Sequence, residues 1–185
     1  MAGNAANTSL WTGADVYTAP KGTVGPTTLV ATWPTAWKPL GLLDGGEGFV
    51  ETRDQTTNKH YAWGGIQYRT SLSEQSRTFE FTALEDNDAV YLLANPGSTT
   101  ATTGGTRTRV VMTPKAGYHF ALGLENREGT RIKRRVLQDC EVDSIDDITE
   151  NEEDPTVYKF TVTVYPDANG VLYTTIETDP TYVAP

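Results

Sequence analysis

Apolar residues in this chain recur mostly at every second position, in short runs separated by glycine, proline, asparagine and threonine. A period of two belongs to strands, whose successive side chains point to opposite faces. The clearest run is 77–82, where Phe79 and Phe81 share one face, Glu80 turns to the other and Arg77 stands at the edge. Comparable runs predict strands at 15–18, 38–43, 48–53, 60–70, 107–113, 118–124, 130–142, 157–165 and 171–177. Asn169-Gly170 supplies the positive backbone angles of a tight turn, so the last two runs are expected to pair as a hairpin. Its inward face would carry Tyr158, Phe160, Val162 and Val164.

One segment breaks the period. Ala83, Val90, Leu93 and Ala94 recur at helical spacing and predict a single helix over 84–94, ended by Pro96-Gly97. Thr82 and Glu85 stand three residues apart as a capping box, with Glu85, Asp86 and Asp88 at the positive end of the helix dipole. Polar stretches fill the rest. Residues 44–58 and 97–105 read as loops, 143–155 as an acidic loop, and 1–9 and 179–185 as arms with little order of their own. Gly64-Gly65 within the 60–70 run marks a bulge or a close backbone approach. Trp37, Gly41, Trp63, Gly64 and Gly65 act with Phe79 and Phe81 as structural markers, Trp63 packing against backbone. The picture is one mainly β domain of 185 residues with one helix against a sheet.

Composition supports strands over helices, being rich in threonine, glycine and tyrosine and poor in long aliphatic runs. No stretch approaches the roughly 20 apolar residues that cross a bilayer, and the first residues lack the basic and apolar parts of a signal peptide. The expected setting is a cytoplasm or release by lysis, without a membrane. The net charge of −9 is concentrated. Asp139, Glu141, Asp143, Asp146, Asp147, Glu150, Glu152, Glu153 and Asp154 fall in one segment with no lysine or arginine, and the remainder of the chain is neutral. Arg127, Arg131, Lys133, Arg134 and Arg135 lie just upstream. Acid on one subunit meeting this basic run on another is one expectation, a calcium site or a solvated loop the alternatives. Nucleic acid is a poor partner for the basic run with so much acid beside it.

Catalysis finds little to use. His60 and His119 are the two histidines, Cys140 is the lone cysteine, and no nucleophile elbow, His-Glu-x-x-His or Cys-x-x-Cys pair occurs. Gly45-Gly46-Glu47-Gly48 lacks the following helix and Lys-Ser/Thr of a phosphate loop. No enzyme activity, cofactor or metal is expected.

The order of signals resembles that of the major tail tube proteins of long-tailed phages with flexible, non-contractile tails. The resemblance rests on Trp37-Lys38-Pro39-Leu40-Gly41-Leu42-Leu43-Asp44-Gly45-Gly46, Ala62-Trp63-Gly64-Gly65 and Phe79-Glu80-Phe81-Thr82-Ala83-Leu84-Glu85, about a third of the chain. It implies two packed antiparallel sheets with one flanking helix, six copies per ring, and stacked rings around a bore that passes DNA. It also implies an extended element reaching the adjacent ring, carried over to Asp44, Gly45, Gly46, Glu47, Gly48, Arg53, Asp54 and Asn58. Partners would be the protein itself, the tape measure, tail tip and tail terminator proteins, and DNA held without sequence readout, in a virion tail assembled in the host cytoplasm. The nine acids would line the bore or join the ring contacts, and the five bases would join those contacts. A head-decoration or tail-terminator protein, or a carbohydrate-binding β-sandwich with Trp11, Trp33 or Trp63 as platforms, are the rival readings.

Overall fold

A computed structural model describes residues 8–179, so most of both expected arms lies outside the described residues. Within them the chain is mainly β. The strands are β1 (Gly13–Pro20), β2 (Lys38–Pro39), β3 (Val50–Tyr61), β4 (Gln67–Ala83), β5 (Thr99–Thr103), β6 (Thr106–Val110), β7 (Phe120–Glu128), β8 (Arg131–Ile145), β9 (Tyr158–Val164) and β10 (Thr174–Glu177), with one helix, α1 (Asp88–Ala94). Eight strands form one antiparallel sheet in the order β2-β1-β7-β8-β9-β4-β3, β10 pairs with β8, and β5 and β6 form a separate two-stranded sheet.

The large sheet folds over on itself. β1 and β4 stand four strand spacings apart, about 19 Å if the sheet were flat. Yet Leu40 N donates to Val16 O on β1, while Asp44 N donates to Thr82 O on β4 and Leu43 bridges to Ala83. Four residues reach at most about 14 Å, so 40–44 can make both contacts only if the sheet curls and brings its ends together. Val16, Phe79, Phe81, Leu122, Leu124, Leu137, Phe160 and Val162 accordingly fill one core, with Val90 and Leu93 of α1 packed among them. Phe81 stacks on Phe160 with ring centroids 5.3 Å apart.

A smaller layer covers the other face of β1, β7 and β8. Trp37 is buried with Ala19, Ala121 and Val136, and Trp33 lies between Tyr17 and Trp37 at 4.5 and 5.0 Å. Gly123 permits this, because a Cβ there would strike the Trp33 ring. Beneath Trp33 sits the buried Glu125. It accepts from Trp33 Nε1 at 2.7 Å, Arg127 Nε at 2.7 Å and Arg134 Nε at 2.7 Å. Burial pushes this carboxyl up, but the hydrogen bonds from Trp33 and Arg127 and the charges of Arg134 and Arg127 outweigh it and hold it below the usual range.

Several local expectations change. The helix begins at Asp88, capped by Asn87, whose side chain accepts from Val90 N at 3.0 Å. Thr82 and Glu85 do not form a capping box. Thr82 is buried at the end of β4 and donates to Glu47, and Glu85 accepts from Leu42 N at 2.8 Å. Glu85 also explains Gly41, which has φ +86 and whose missing side chain leaves room for that carboxylate. The turn expected at 166–170 forms, with Asp167 accepting from Asn169 N and Val171 N at 2.8 Å. The strands around it do not pair, because both edges of β9 are taken by β8 and β4, and β10 pairs instead with Lys133–Val136 of β8. Residues 97–105 are not a loop. Thr99–Thr103 and Thr106–Val110 pair across Gly104-Gly105, both at positive φ.

Candidate assembly surface

The largest departure lies in 44–61. Residues 44–48 form a turn, but 50–61 are strand, and 54–58 belong to a long ribbon rather than a loop. β3 pairs with β4 from Val50↔Glu80 to Tyr61↔Gln67, with register shifts at Thr56/Thr57 and His60/Tyr61. β9 pairs with β4 only from Thr78 to Ala83. Beyond Thr78 the two strands therefore leave the body as a free hairpin, 11 residues long on β4 and so about 36 Å in reach.

Its sequence explains its exposure. Threonine, serine, glutamine and asparagine occupy both faces, so the ribbon has strand-forming residues but no apolar side to bury. Every residue of β3 is exposed, and so are 67–76 of β4 except the half-buried Ser71. Apart from the exposed Leu72, the hairpin's large apolar residues gather at the far end. Tyr61, Ile66 and Tyr68 are exposed, and Trp63 is fully so at 101%. Trp63 does not pack against backbone as expected. Gly64 and Gly65, at φ +87 and +79, form the turn of the hairpin rather than a bulge. Two-stranded hairpins are marginal in water on their own, and exposed aromatic clusters mark contact sites.

The root is tied down where the tip is not. Arg77 Nη1 reaches Glu51 Oε1 at 2.6 Å and the Tyr173 hydroxyl at 3.1 Å, and that hydroxyl donates back to Glu51 at 2.8 Å. The Tyr173 ring meets Phe79 edge-on at 5.6 Å. Arg53 Nη2 donates to Gln55 Oε1 at 2.8 Å, and His60 Nε2 contacts Ser71 Oγ at 2.8 Å. Asp44 folds back to accept from Gly46 N at 2.6 Å. Glu47 is held below the usual carboxylate range by hydrogen bonds from Thr82 and Lys159.

The charge-rich segments behave unlike one another. The basic run is paired within its own chain: Arg127 with Glu125 and Asp15, Arg131 with Glu128, Lys133 with Glu177, and the buried Arg134 with Glu125. Arg134 also donates to Thr28 O and Ala31 O, and Arg135 lies 5.8 Å over the Phe79 ring. Of the acids, Asp139 binds Lys21 at 2.7 Å and His119 at 2.6 Å, and Glu141 takes Gly117 N and the Tyr165 hydroxyl. Asp143 is in β8, and Asp146, Asp147, Glu150, Glu152, Glu153 and Asp154 lie exposed on the connection to β9. No group of three or more potential metal-ligating side chains occurs among the described residues.

The histidine pairs are incomplete as catalysts. Among the described residues no carboxylate bonds His60 to orient its ring toward Ser71, and no serine, threonine or cysteine bonds His119 beside Asp139. Cys140 is fully buried, and burial foremost, with the charge of Asp139 second, pushes its thiol up and away from thiolate. Among the described residues no helix is long and apolar enough to cross a membrane.

Compared with known proteins, the chain matches a family model described as phage tail tube protein over residues 1–185. No curated protein matches it.

Proposed function

Because the chain belongs to the phage tail tube protein family, and is thus a structural component of the virion tail, we propose that it assembles into stacked six-membered rings whose bore conducts DNA. The observation that carries this reading is the bare hairpin of β3 and β4. A ribbon of about 36 Å with no core of its own, ending in Trp63, Tyr61, Ile66 and Tyr68, is built to be covered by another molecule. In a homopolymer the available cover is another copy. The inter-ring element is therefore the whole hairpin, extending the expectation for Asp44, Gly45, Gly46, Glu47, Gly48, Arg53, Asp54 and Asn58 to residues 50–77. Its exposed strand edges find protection in the assembled tube.

DNA passage rests on charge. With −9 per subunit the tube as a whole repels phosphate, so DNA slides instead of making the several lysine and arginine contacts that would hold it. The paired state of Arg127, Arg131, Lys133 and Arg134 supports this, since their charges are already neutralised locally. Tape measure, tip and terminator proteins would meet the two ends of the stack.

The test is electron microscopy of the purified protein beside a variant in which Asn-Gly joins Gln55 to Gln75. The intact chain should give long tubes and the shortened chain single rings or monomers with an unchanged thermal midpoint. Normal tubes from the shortened chain would sink the stacking role. Monomers from the intact chain under all conditions, with tail tips supplied, would favour a different virion part.

A further inference from the structure

The hairpin needs a receptor, and the sheet register shows where the best complement stands. β4 enters the body at Thr78, opposite Thr163, and reaches its far end at Ala83, opposite Tyr158. The hairpin leaves at the Thr78 end. The segment between β8 and β9 leaves at the Ala83 end, since Ile145 pairs with Phe160 and Tyr158 with Ala83. Tip and acidic segment thus stand at opposite ends of one strand direction, about 55 Å apart for the 17 residues of β4.

Their chemistry is complementary. Residues 55–73 carry Lys59, Arg69 and His60 and no acid, and neither Lys59 nor Arg69 makes an ion pair among the described residues. Residues 146–154 carry Asp146, Asp147, Glu150, Glu152, Glu153 and Asp154 and no base, all exposed and without an ion pair among the described residues. The exposed Ile148 sits in the acidic segment, and Trp63 and Ile66 sit between the two bases of the hairpin. Each surface pairs an apolar centre with flanking charge, of opposite sign.

Resting on the stacking role of the hairpin, we propose that the outer hairpin of one copy docks on residues 146–154 of the next copy along the tube. Lys59 and Arg69 face the carboxylates, and Trp63 covers Ile148. The contact is head-to-tail, between two different surfaces, so it leaves a free tip at one end and a free acidic segment at the other and propagates without closing. It also gives the tube a direction. On β8, Arg131, Lys133 and Arg134 are already paired within their own chain and Arg135 lies over Phe79, which makes that run a poorer partner for the acids than Lys59 and Arg69.

Charge reversal with rescue tests the pairing. Lys59→Glu with Arg69→Glu is one variant, Glu150→Lys, Glu152→Lys and Glu153→Lys another, and the five changes together a third. All five positions are exposed, so thermal midpoints should stay near that of the parent. Each reversal alone should raise the critical concentration for tube formation at least about tenfold at low salt, with the combined variant returning to near the parental value. Assembly of both single reversals like the parent, or a combined variant no better than either, would overturn the pairing. The Gln55-to-Gln75 shortened chain separates the two ideas. If shortening blocks stacking while reversals are silent, the hairpin stacks rings but docks elsewhere. If shortening is silent, the stacking role falls and this proposal with it.

Discussion

Residues 78–83 and 67–77 are two halves of one strand, and the same neighbour, β3, pairs with it from Gln67 across the boundary to Glu80. In the first half Phe79, Phe81, Thr82 and Ala83 are buried, while the second leaves nine of its eleven residues exposed and Ser71 and Arg77 half-buried. What separates them is β9, which pairs with β4 from Thr78 onward, and the core layer beneath. Backbone pairing alone does not bury side chains; a third strand and an opposing layer do. The body is therefore stable by itself, and the hairpin depends on what it meets.

The sharpest way to break that contrast is at its buried end. Phe160→Ala or Phe81→Ala removes one ring of the stacked pair and should lower stability by about 3–5 kcal/mol in denaturant unfolding. Nearly as large is Glu125→Ala, which leaves Arg134 buried without its counter-charge and should cost about 3–5 kcal/mol. Glu125→Gln adds a pH readout. The folded carboxyl lies below its ordinary value of 4.5, so its contribution is complete above that value and is lost as pH falls through the lower, folded one. The gap in thermal midpoint between parent and Glu125→Gln should thus be widest near neutrality and narrow from about pH 4.5 downward. A gap that widens in acid would contradict the assignment. Smaller again is Asn87→Ala, at about 1 kcal/mol for a lost helix cap. Trp63→Ala should be the smallest, within about 0.5 kcal/mol of the parent by thermal unfolding, while tube length by electron microscopy falls sharply. A large stability loss at Trp63 would mean the tip belongs to the body after all.

The same contrast decides what could be read in the sequence. Phe79 and Phe81 announce a strand with a buried face, and β1, β7, β8 and β9 follow from the same alternation. The 54–58 stretch, Asp54-Gln55-Thr56-Thr57-Asn58, has no apolar face because neither face meets a core, so periodicity was silent and turn-forming residues suggested a loop. Its partner across the ribbon, Ser71 to Ser76, is polar apart from Leu72, and that matched polarity, with glutamine on both sides, is the available signal. The capping box at Thr82 and Glu85 fits by letters, but closure of the sheet draws Glu85 to Leu42 and Thr82 into β4, leaving Asn87 to start the helix. The basic run gave no sign that Glu125, nine residues before Arg134, would hold three of its neighbours at once.

Tension applied to the hairpin would follow a path set by β4 being continuous. A pull on the tip travels down one covalent strand into the body without crossing a turn. There it meets six β4–β9 register pairs lying alongside the direction of pull, from Thr78 to Ala83, with the Arg77–Glu51–Tyr173 cluster as the first clamp. Such a load shears all six pairs together rather than peeling them one at a time, the stiffer of the two geometries. The hairpin is thus a tendon rooted in the core of its own chain.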